Sequence, residues 1–268
     1  GGGGQPSPPA LSRWSAPPSP TARRESRRRL SRPPCAQVPS ARHAADRPRW
    51  RASGMSQAAI LAQGIAEAGL PIDEQKQQKL LAYLMLMQKW NKVHNLTAVR
   101  DADEMVVLHL LDSLVVLPFI DGKALLDVGS GAGLPGIPLA ICLPDLKVTV
   151  IDSNNKKVSF MRQAKAELGI DNLEVLGGRV EEIAPNRKFD MVISRAFSDL
   201  DLFISLTHQV CEAQGKWLAM KGVYPEAELA ELEKNTGITA SKTEALKVPG
   251  LAAQRHLVFL PFKNIDRH

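Results

Sequence analysis

The stretch LLDVGSGAGLPGIPLAI, residues 125–141, places four glycines within eight positions, at Gly129, Gly131, Gly133 and Gly136. Apolar residues lie on both sides, so the pattern predicts a buried strand, a glycine loop and the start of a helix. Pro135 and Pro138 suit the first turn of that helix, whose amides have no intrahelical partner. Glycines in such a loop allow the backbone to approach a ligand closely.

Two classes of ligand fit this loop. The spacing Gly131-x-Gly133-x-x-Gly136, with Asp152 closing the next predicted strand about 20 residues later, matches a dinucleotide fingerprint and leaves an NAD(P)-dependent oxidoreductase open. Asp127 favours the other class, because a carboxylate at the strand end would repel a pyrophosphate. S-adenosylmethionine carries an ammonium and a sulfonium instead, and Asp152 would accept hydrogen bonds from its ribose. The loop therefore favours a methyltransferase that binds this cofactor through Asp127, Gly131 and Asp152.

Outward from the loop, strands alternate with helices. The strands are predicted at 123–128, 147–152, 172–176, 189–193, 216–220, about 239–247 and 256–261, and the helices between them at 135–142, 154–168, 199–211 and 225–234. This alternation predicts an α/β fold with a doubly wound, Rossmann-like sheet of about seven strands, mostly parallel. Only the short segment PGLAAQ separates the last two strands, so we expect these two strands to pair antiparallel at an edge of the sheet.

The residues before the first strand have helical periodicity. Helices are predicted within 56–92, with a break at Gly69-Leu70-Pro71, and at about 101–117, where Asp101 and Glu104 have the spacing of a capping box. We expect residues 55–118 to form an N-terminal helical segment packed on a methyltransferase domain at 119–268.

Residues 1–54 have a different composition. They hold eleven arginines, two acids and ten of the nineteen prolines, for a net charge of +9, whereas 55–268 has a net charge of −3. Such a segment cannot bury enough apolar surface to offset its chain entropy, so we predict a disordered tail outside the native domain. The basic isoelectric point of the chain, about 9.3, thus comes from this segment.

Several site and compartment classes are disfavoured. No stretch approaches the roughly 20 apolar residues of a membrane span. Cys35, Cys142 and Cys211 have no CxxC spacing, and no histidines form an HxxxH or HExxH pair. We therefore expect no disulfide framework, no metal site and no membrane association, in a protein of the cytoplasm.

Ordered signatures along residues 57–262 resemble the RsmG (GidB) family of bacterial methyltransferases. The signatures are KWNKVHNLT (89–97), HLLDSL (109–114), LDVGSGAGLPGIPLA (126–140), IDSNNKKVSFMR (151–162), GRVEE (178–182), ISRAF (193–197), MKG (220–222) and RHLV (255–258). The resemblance implies methylation of N7 of a guanine in 16S rRNA of the small ribosomal subunit, with S-adenosylmethionine as cofactor, by a monomer.

The resemblance also implies roles for individual residues. Gly129 and Leu134 would line the cofactor pocket, and Val180 and Glu181 would flank the adenine. Asp152 would hold the ribose. Arg195 would reach both the cofactor and the target base, and it is the expected catalytic residue.

Methylation of guanine N7 does not require the motifs of other base methylations, which this sequence lacks. N7 already carries an in-plane lone pair, so the reaction needs alignment rather than a strong base. The motifs of amino-group and C5-pyrimidine methylation are missing, and SRAF stands at 194–197 instead. Because the domain is slightly acidic, RNA contact would depend on local basic clusters such as Lys156, Lys157 and Arg162. A non-catalytic RNA-binding factor with a vestigial pocket remains an alternative.

Overall fold

A computed structural model describes residues 54–195, 197 and 199–265. These residues form one seven-stranded sheet in the order β3-β2-β1-β4-β5-β7-β6. The strands are β1 (Ala124–Val128), β2 (Lys147–Asp152), β3 (Leu173–Gly177), β4 (Phe189–Ser194), β5 (Cys211–Lys221), β6 (Lys242–Leu246) and β7 (Arg255–Pro261). The predicted tail lies, apart from Gly54, outside the described residues.

The sheet confirms the predicted doubly wound α/β class. The five strands β1 to β5 pair in parallel. The last strand, β7, runs antiparallel to both β5 and β6, as its position after a short connection predicts. The strand order reverses between β1 and β4, and ligands of open α/β sheets bind at the carboxyl ends of strands beside such a switch point.

The helices cover both faces of the sheet. They are α1 (Gln57–Glu67), α2 (Glu74–His94), α3 (Ala102–Met105), a π-helical segment (Val106–Leu111), α4 (Asp112–Leu114), α5 (Gly136–Cys142), α6 (Asn155–Leu168), α7 (Leu200–Thr207) and α8 (Glu226–Thr236). Among the described residues, no helix is both long and apolar enough to cross a bilayer.

Two hydrophobic clusters lie on opposite faces of the sheet, because successive strand side chains alternate. Leu125 packs with α1, α2, the π-helical segment, α5 and α6. Its neighbour Leu126 packs in the other cluster, which contains residues of α7 and α8. The N-terminal helices therefore share one apolar cluster with the sheet and lie over the face that also carries α5.

The third predicted helix differs from its expected form. Asp101 caps it as predicted, accepting the amides of Asp103 and Glu104. The helix does not continue regularly to 117, because a π-helical turn interrupts it at Val106–Leu111. Such turns occur frequently at functional sites, and this one carries residues of the cavity described below.

Strand β5 begins earlier than the predicted 216–220. It starts at Cys211, which pairs with Phe189, while Lys216 pairs with Met191, so the register shifts between these two pairs. The residues in the irregular part, Glu212 to Gly215, are polar or small and carry no alternating apolar pattern. Period-two patterning can therefore identify only the regular half of this strand.

Candidate active site

The glycine loop follows β1 and adopts backbone conformations that favour glycine. Gly129, Gly131 and Gly133 have φ values of +70°, +60° and +103°, where a side chain would be strained. The amides of Gly129 and Ser130 donate to the carbonyl oxygen of Ile151 at 3.0 and 3.2 Å, which ties the loop to β2. A Cβ added at Gly131 would meet no heavy atom within 4 Å. The loop thus borders open space at Gly131.

Asp127 lies under this loop and is 1% exposed. Its Oδ2 accepts the amide of Gly136 at 2.9 Å, which fixes the start of α5. Its Oδ1 is buried and has no hydrogen bond within the described residues. Burial raises the pKa of Asp127 to about 7, and the bond from Gly136 acts in the opposite direction. The structure therefore gives this carboxyl a supporting task in the loop, beside the ligand contact predicted from the sequence.

Asp152 joins three segments at the end of β2. Its Oδ2 accepts the amide of Gly131, and its Oδ1 accepts the amide of Asn154, both at 2.8 Å. Its carbonyl oxygen accepts the amide of Gly178 at 3.0 Å. The carboxyl is only half-buried, and a carboxylate has about four acceptor positions. Acceptor capacity for a ribose thus remains after these bonds are made.

Tyr83 of α2 is a supporting residue that the sequence analysis missed. Its hydroxyl donates to the carbonyl oxygen of Ala132 in the glycine loop at 2.6 Å. The side chain is fully buried, and burial raises the pKa of the phenol. The apolar face of α2 indicates only a core position for Tyr83, so the pattern of the helix gave no signal for this contact.

Three other predicted pocket residues occupy different surroundings. Leu134 is 4% exposed and belongs to the apolar cluster under the N-terminal helices. Val180 is 5% exposed and belongs to the cluster on the opposite face. Glu181, in the short helical turn after β3, is exposed. The structure thus joins Asp127, Gly131 and Asp152 through hydrogen bonds around the loop. Leu134 is joined to the loop only through its main chain, whose amide donates to the carbonyl oxygen of Ser130 at 3.0 Å.

Arg195 follows β4, on the other side of the switch point. The hydroxyl of Ser194 donates to the carbonyl oxygen of Val128 at 2.8 Å, so the ends of β4 and β1 are held together. The Nη1 atom of Arg195 donates to the carbonyl oxygen of Leu108 at 3.4 Å. Its positive charge opposes the rise in the pKa of Asp127 that burial causes. Arg195 is thus bonded to the π-helical segment, and its charge acts on the carboxyl under the loop.

Asp112 lies between two arginines. Its Oδ1 accepts Nε–H of Arg255 at 3.0 Å, and its Oδ2 lies 3.8 Å from Nη1 of Arg195. The carboxylate side chain is 9% exposed, whereas the two guanidinium side chains are 27% and 28% exposed. A buried carboxylate between partly exposed cations is stabilised by their charge, and its hydrogen bond orients the Nε–H group of Arg255.

A cavity of about 310 Å³ opens at this cluster. Arg195, Lys221 and Arg255 contribute cations to its lining, and His109 and Asp112 line it from the N-terminal helices. Lys221 also bonds Glu228 at 2.8 Å and the carbonyl oxygen of Phe197 at 3.0 Å. The cavity is therefore rich in hydrogen-bond donors at the carboxyl end of the parallel strands.

His109 is a buried polar residue of this cavity. Its Nε2 lies 2.8 Å from Oγ1 of Thr97, whereas its Nδ1 is buried without a hydrogen bond of normal geometry to the described residues. Burial and then the charge of Arg195 lower the pKa of His109 to about 4, against a weaker effect of the Leu108 main chain. The imidazole is therefore neutral at pH 7.

The described residues contain no cluster of three or more histidine, cysteine or acidic side chains arranged to hold a metal ion. Cys142 and Cys211 are both buried thiols. Burial raises the pKa of each to about 12, so neither forms a nucleophilic thiolate at neutral pH.

Comparison with known proteins identifies a family that the sequence resembles. The family model described as "rRNA small subunit methyltransferase G" matches residues 76–258. The ribosomal RNA small subunit methyltransferase G of Methylobacillus flagellatus is 60% identical over 198 residues, which are 74% of this chain and 95% of that protein. The protein of the same name from Nitrosospira multiformis is 52% identical over 77% of this chain and 98% of its own length.

Solved structures share the fold. A glycopeptide N-methyltransferase, MtfA, in complex with S-adenosyl-L-homocysteine superposes with a TM-score of 0.50 and 12% identity. The match covers 58% of this chain and 87% of that one. At this identity the likeness concerns the sheet and its helices alone.

Proposed function

We propose, since the chain belongs to the rRNA small subunit methyltransferase G family, that it methylates N7 of a guanine in 16S rRNA of the small ribosomal subunit. The observation that carries this proposal is the arrangement at the switch point. The glycine loop and Asp152 lie at the ends of β1 and β2, while Arg195 lies at the end of β4. A methyl donor and an acceptor base can therefore meet at one edge of the sheet.

The residues around the loop fit S-adenosylmethionine. Open space at Gly131, the buried unpaired Oδ1 of Asp127 and the half-buried carboxyl of Asp152 provide acceptors for a cationic, hydroxyl-bearing ligand. When bound, this cofactor supplies an electrophilic methyl group on a sulfonium. We assign its binding to Asp127, Asp152 and a set of neighbouring residues, namely Gly129, Gly131, Leu134, Val180, Glu181 and Arg195.

The buried carboxyl of Asp127 also disfavours the alternative cofactor NAD(P). A pyrophosphate above the loop would face this acid, whose negative charge increases as the pH rises through about 7. The oxyanion of a pyrophosphate would therefore be repelled where an ammonium or sulfonium would be attracted.

The protein's own residues act by alignment in this proposal. Guanine N7 attacks with a lone pair it already has, so no side chain needs to remove a proton first. Arg195 donates hydrogen bonds to the target base, for which guanine O6 is the acceptor that arginine recognises in nucleic acids. His109 stays neutral, because its lowered pKa of about 4 keeps it unprotonated at pH 7, and it adds no repulsion to the positive charge that the base acquires.

Transfer of label to small subunits tests the proposal. Purified protein is incubated with tritiated S-adenosylmethionine and small ribosomal subunits from a strain that lacks the enzyme. We expect label in 16S rRNA that RNase releases and that co-migrates with 7-methylguanosine after digestion. Subunits from a strain that has the enzyme are the matched control and should accept little label. Label in a ribosomal protein, or no label, would contradict the proposal.

The partner and compartment follow from this substrate. The net charge of −3 over residues 55–268 provides little of the general attraction to phosphates that RNA-binding proteins use. We infer that the protein acts as a monomer in the cytoplasm and needs the folded subunit for binding. Tight binding of short RNA hairpins at physiological salt would refute the need for the folded subunit. Analytical sedimentation would test whether the protein is a monomer.

A further inference from the structure

The cavity at Asp112 lies at the same edge of the sheet as the proposed cofactor contacts. The proposed cofactor contacts belong to the ends of β1 and β2. The cavity belongs to the ends of β4 and β5 and the start of β7 in the same sheet, of which β4 pairs with β1. An enzyme that modifies a nucleobase extrudes it into a pocket next to the reactive group.

Two features of the cavity lining leave hydrogen-bonding capacity unused among the described residues. The Nδ1 atom of His109 is buried and lacks a hydrogen bond of normal geometry to the described residues, on a side chain that is 4% exposed. Arg195 and Arg255 reach the cavity with guanidinium groups that each carry five N–H donors. Their bonds to Leu108, Gln254 and Asp112 use only part of this capacity.

Asp112 controls where these guanidinium groups lie. It bonds Nε–H of Arg255 at 3.0 Å and lies 3.8 Å from Nη1 of Arg195. The two arginines are 60 residues apart in the chain, in β7 and after β4, so a shared carboxylate is what relates their positions. Its burial makes it a fixed anchor, because a buried carboxylate has little freedom to follow two mobile side chains.

We propose that this cavity receives the target guanosine, and that Asp112 is a positioning residue that orients Arg255 and Arg195 towards it. Arg255 thereby joins Arg195 as a residue that contacts the target nucleotide. This inference rests on the proposed function, since it assigns the acceptor side of the same reaction.

The variants Asp112→Asn and Arg255→Gln test the positioning role. Asn keeps the size of the side chain but loses the charge that holds the arginines. We expect kcat/KM for small subunits to fall about tenfold or more in each variant, the range of one lost bond to a charged group. Affinity for S-adenosylhomocysteine, measured by calorimetry, should stay within about twofold of wild type.

The double variant separates positioning from general damage. If Asp112 acts through Arg255, the double variant loses little more activity than the worse single variant. Multiplied losses in the double variant, or a parallel loss of S-adenosylhomocysteine binding in Asp112→Asn, would overturn the positioning role. Glu174→Gln, which breaks an arginine–carboxylate pair with Arg187 outside the cavity, is the matched control and should retain activity.

Gly222 allows a direct test of the cavity itself. A Cβ there would meet only Gln254 O at 3.8 Å and Arg255 Nη1 at 3.9 Å, which are ordinary contacts. Gly222 lines the cavity. We expect Gly222→Leu, which puts a larger group beside Arg255, to lose methyl transfer about tenfold or more while S-adenosylhomocysteine still binds, and Gly222→Ala to lose less. Full activity in Gly222→Leu would refute the cavity as the acceptor site. If wild type labels guanine N7 while these variants match it, the inference fails and the proposed function stands.

Discussion

The two sides of the switch point are built in different ways. The donor side is the one where the methyl donor is proposed to bind. There, Asp127, Asp152 and Tyr83 each make a hydrogen bond to an amide or carbonyl group of the glycine loop. On the acceptor side, charged side chains from separate segments meet around Asp112. A cofactor that many enzymes share can be bound by main-chain groups. Recognition of one particular base in RNA requires side-chain hydrogen-bond donors at defined positions. Substitutions on the acceptor side should therefore mainly reduce methyl transfer, and substitutions on the donor side should mainly reduce cofactor affinity.

Arg195→Ala should have the largest effect, mainly on the acceptor side. This variant loses the hydrogen bonds that the guanidinium group donates to the target base. We expect methyl transfer to small subunits to fall by about 100-fold or more, as loss of a preorganised hydrogen-bond donor does in other enzymes. Affinity for S-adenosylhomocysteine should change much less, by under about tenfold, because the loop contacts remain. Parallel rate and calorimetric measurements check this, and equal losses in both would break the distinction between the two sides.

Gly136→Ala should damage the donor side. A Cβ at this position would come within 2.5 Å of Val150 Cγ1 and 2.9 Å of Asp127 Oδ2, inside the core. We expect the free energy of unfolding to fall by about 2 kcal/mol, in the range of overpacking, with weaker S-adenosylhomocysteine binding. Urea denaturation measures the first effect. Gly222→Ala, with no contact under 3.8 Å, is the matched control, and an equally stable Gly136→Ala would refute the packing argument.

The pH dependence of the free energy of unfolding should reveal the raised pKa of the buried Asp127 carboxyl. The folded protein keeps this proton up to a pKa of about 7, whereas the group ordinarily titrates at 3.8. The unfolded chain therefore binds fewer protons in this window, and Asp127 makes stability fall as pH rises through it. His109 acts oppositely between about 4 and 6.5, because its folded pKa is lowered and the unfolded chain binds more protons there.

Asp127→Asn isolates the carboxyl from the histidine. Asn keeps an acceptor for the Gly136 amide and does not titrate, so its stability relative to wild type should increase from about pH 5 to about pH 8, by about 2 kcal/mol. Denaturation series of both proteins across that range measure the difference. A constant difference would mean that Asp127 titrates normally in the folded protein.

Tyr83→Phe should have the smallest effect. It removes the hydroxyl that donates to Ala132 O in the glycine loop at 2.6 Å. We expect a loss of about 1 kcal/mol in unfolding free energy, the usual value of one such bond, and a modest decrease in S-adenosylhomocysteine affinity. Unchanged affinity with lower stability would show that the tyrosine supports the core and not the loop.

The same contrast explains what the sequence could predict. The glycine loop and Asp152 lie in a short local pattern whose geometry follows from the rules for strands, turns and helices. The sequence could therefore predict the residues of the donor side. The pair Asp112 and Arg255 is separated by 143 positions, and Tyr83 is 49 positions from its partner Ala132. Periodicity carries no information on such distant pairs. The π-helical turn was equally hidden, because VVLHLL is as apolar as an ordinary buried helix.

The most direct test of the donor side is a calorimetric titration of the wild-type protein, without RNA, with S-adenosylhomocysteine and separately with NADH. A loop that binds its ligand through Asp127, Gly131 and Asp152, independently of the cavity at Asp112, should bind S-adenosylhomocysteine with one site per chain and show no heat with NADH. Binding of NADH, or binding of S-adenosylhomocysteine only when RNA is present, would contradict this account.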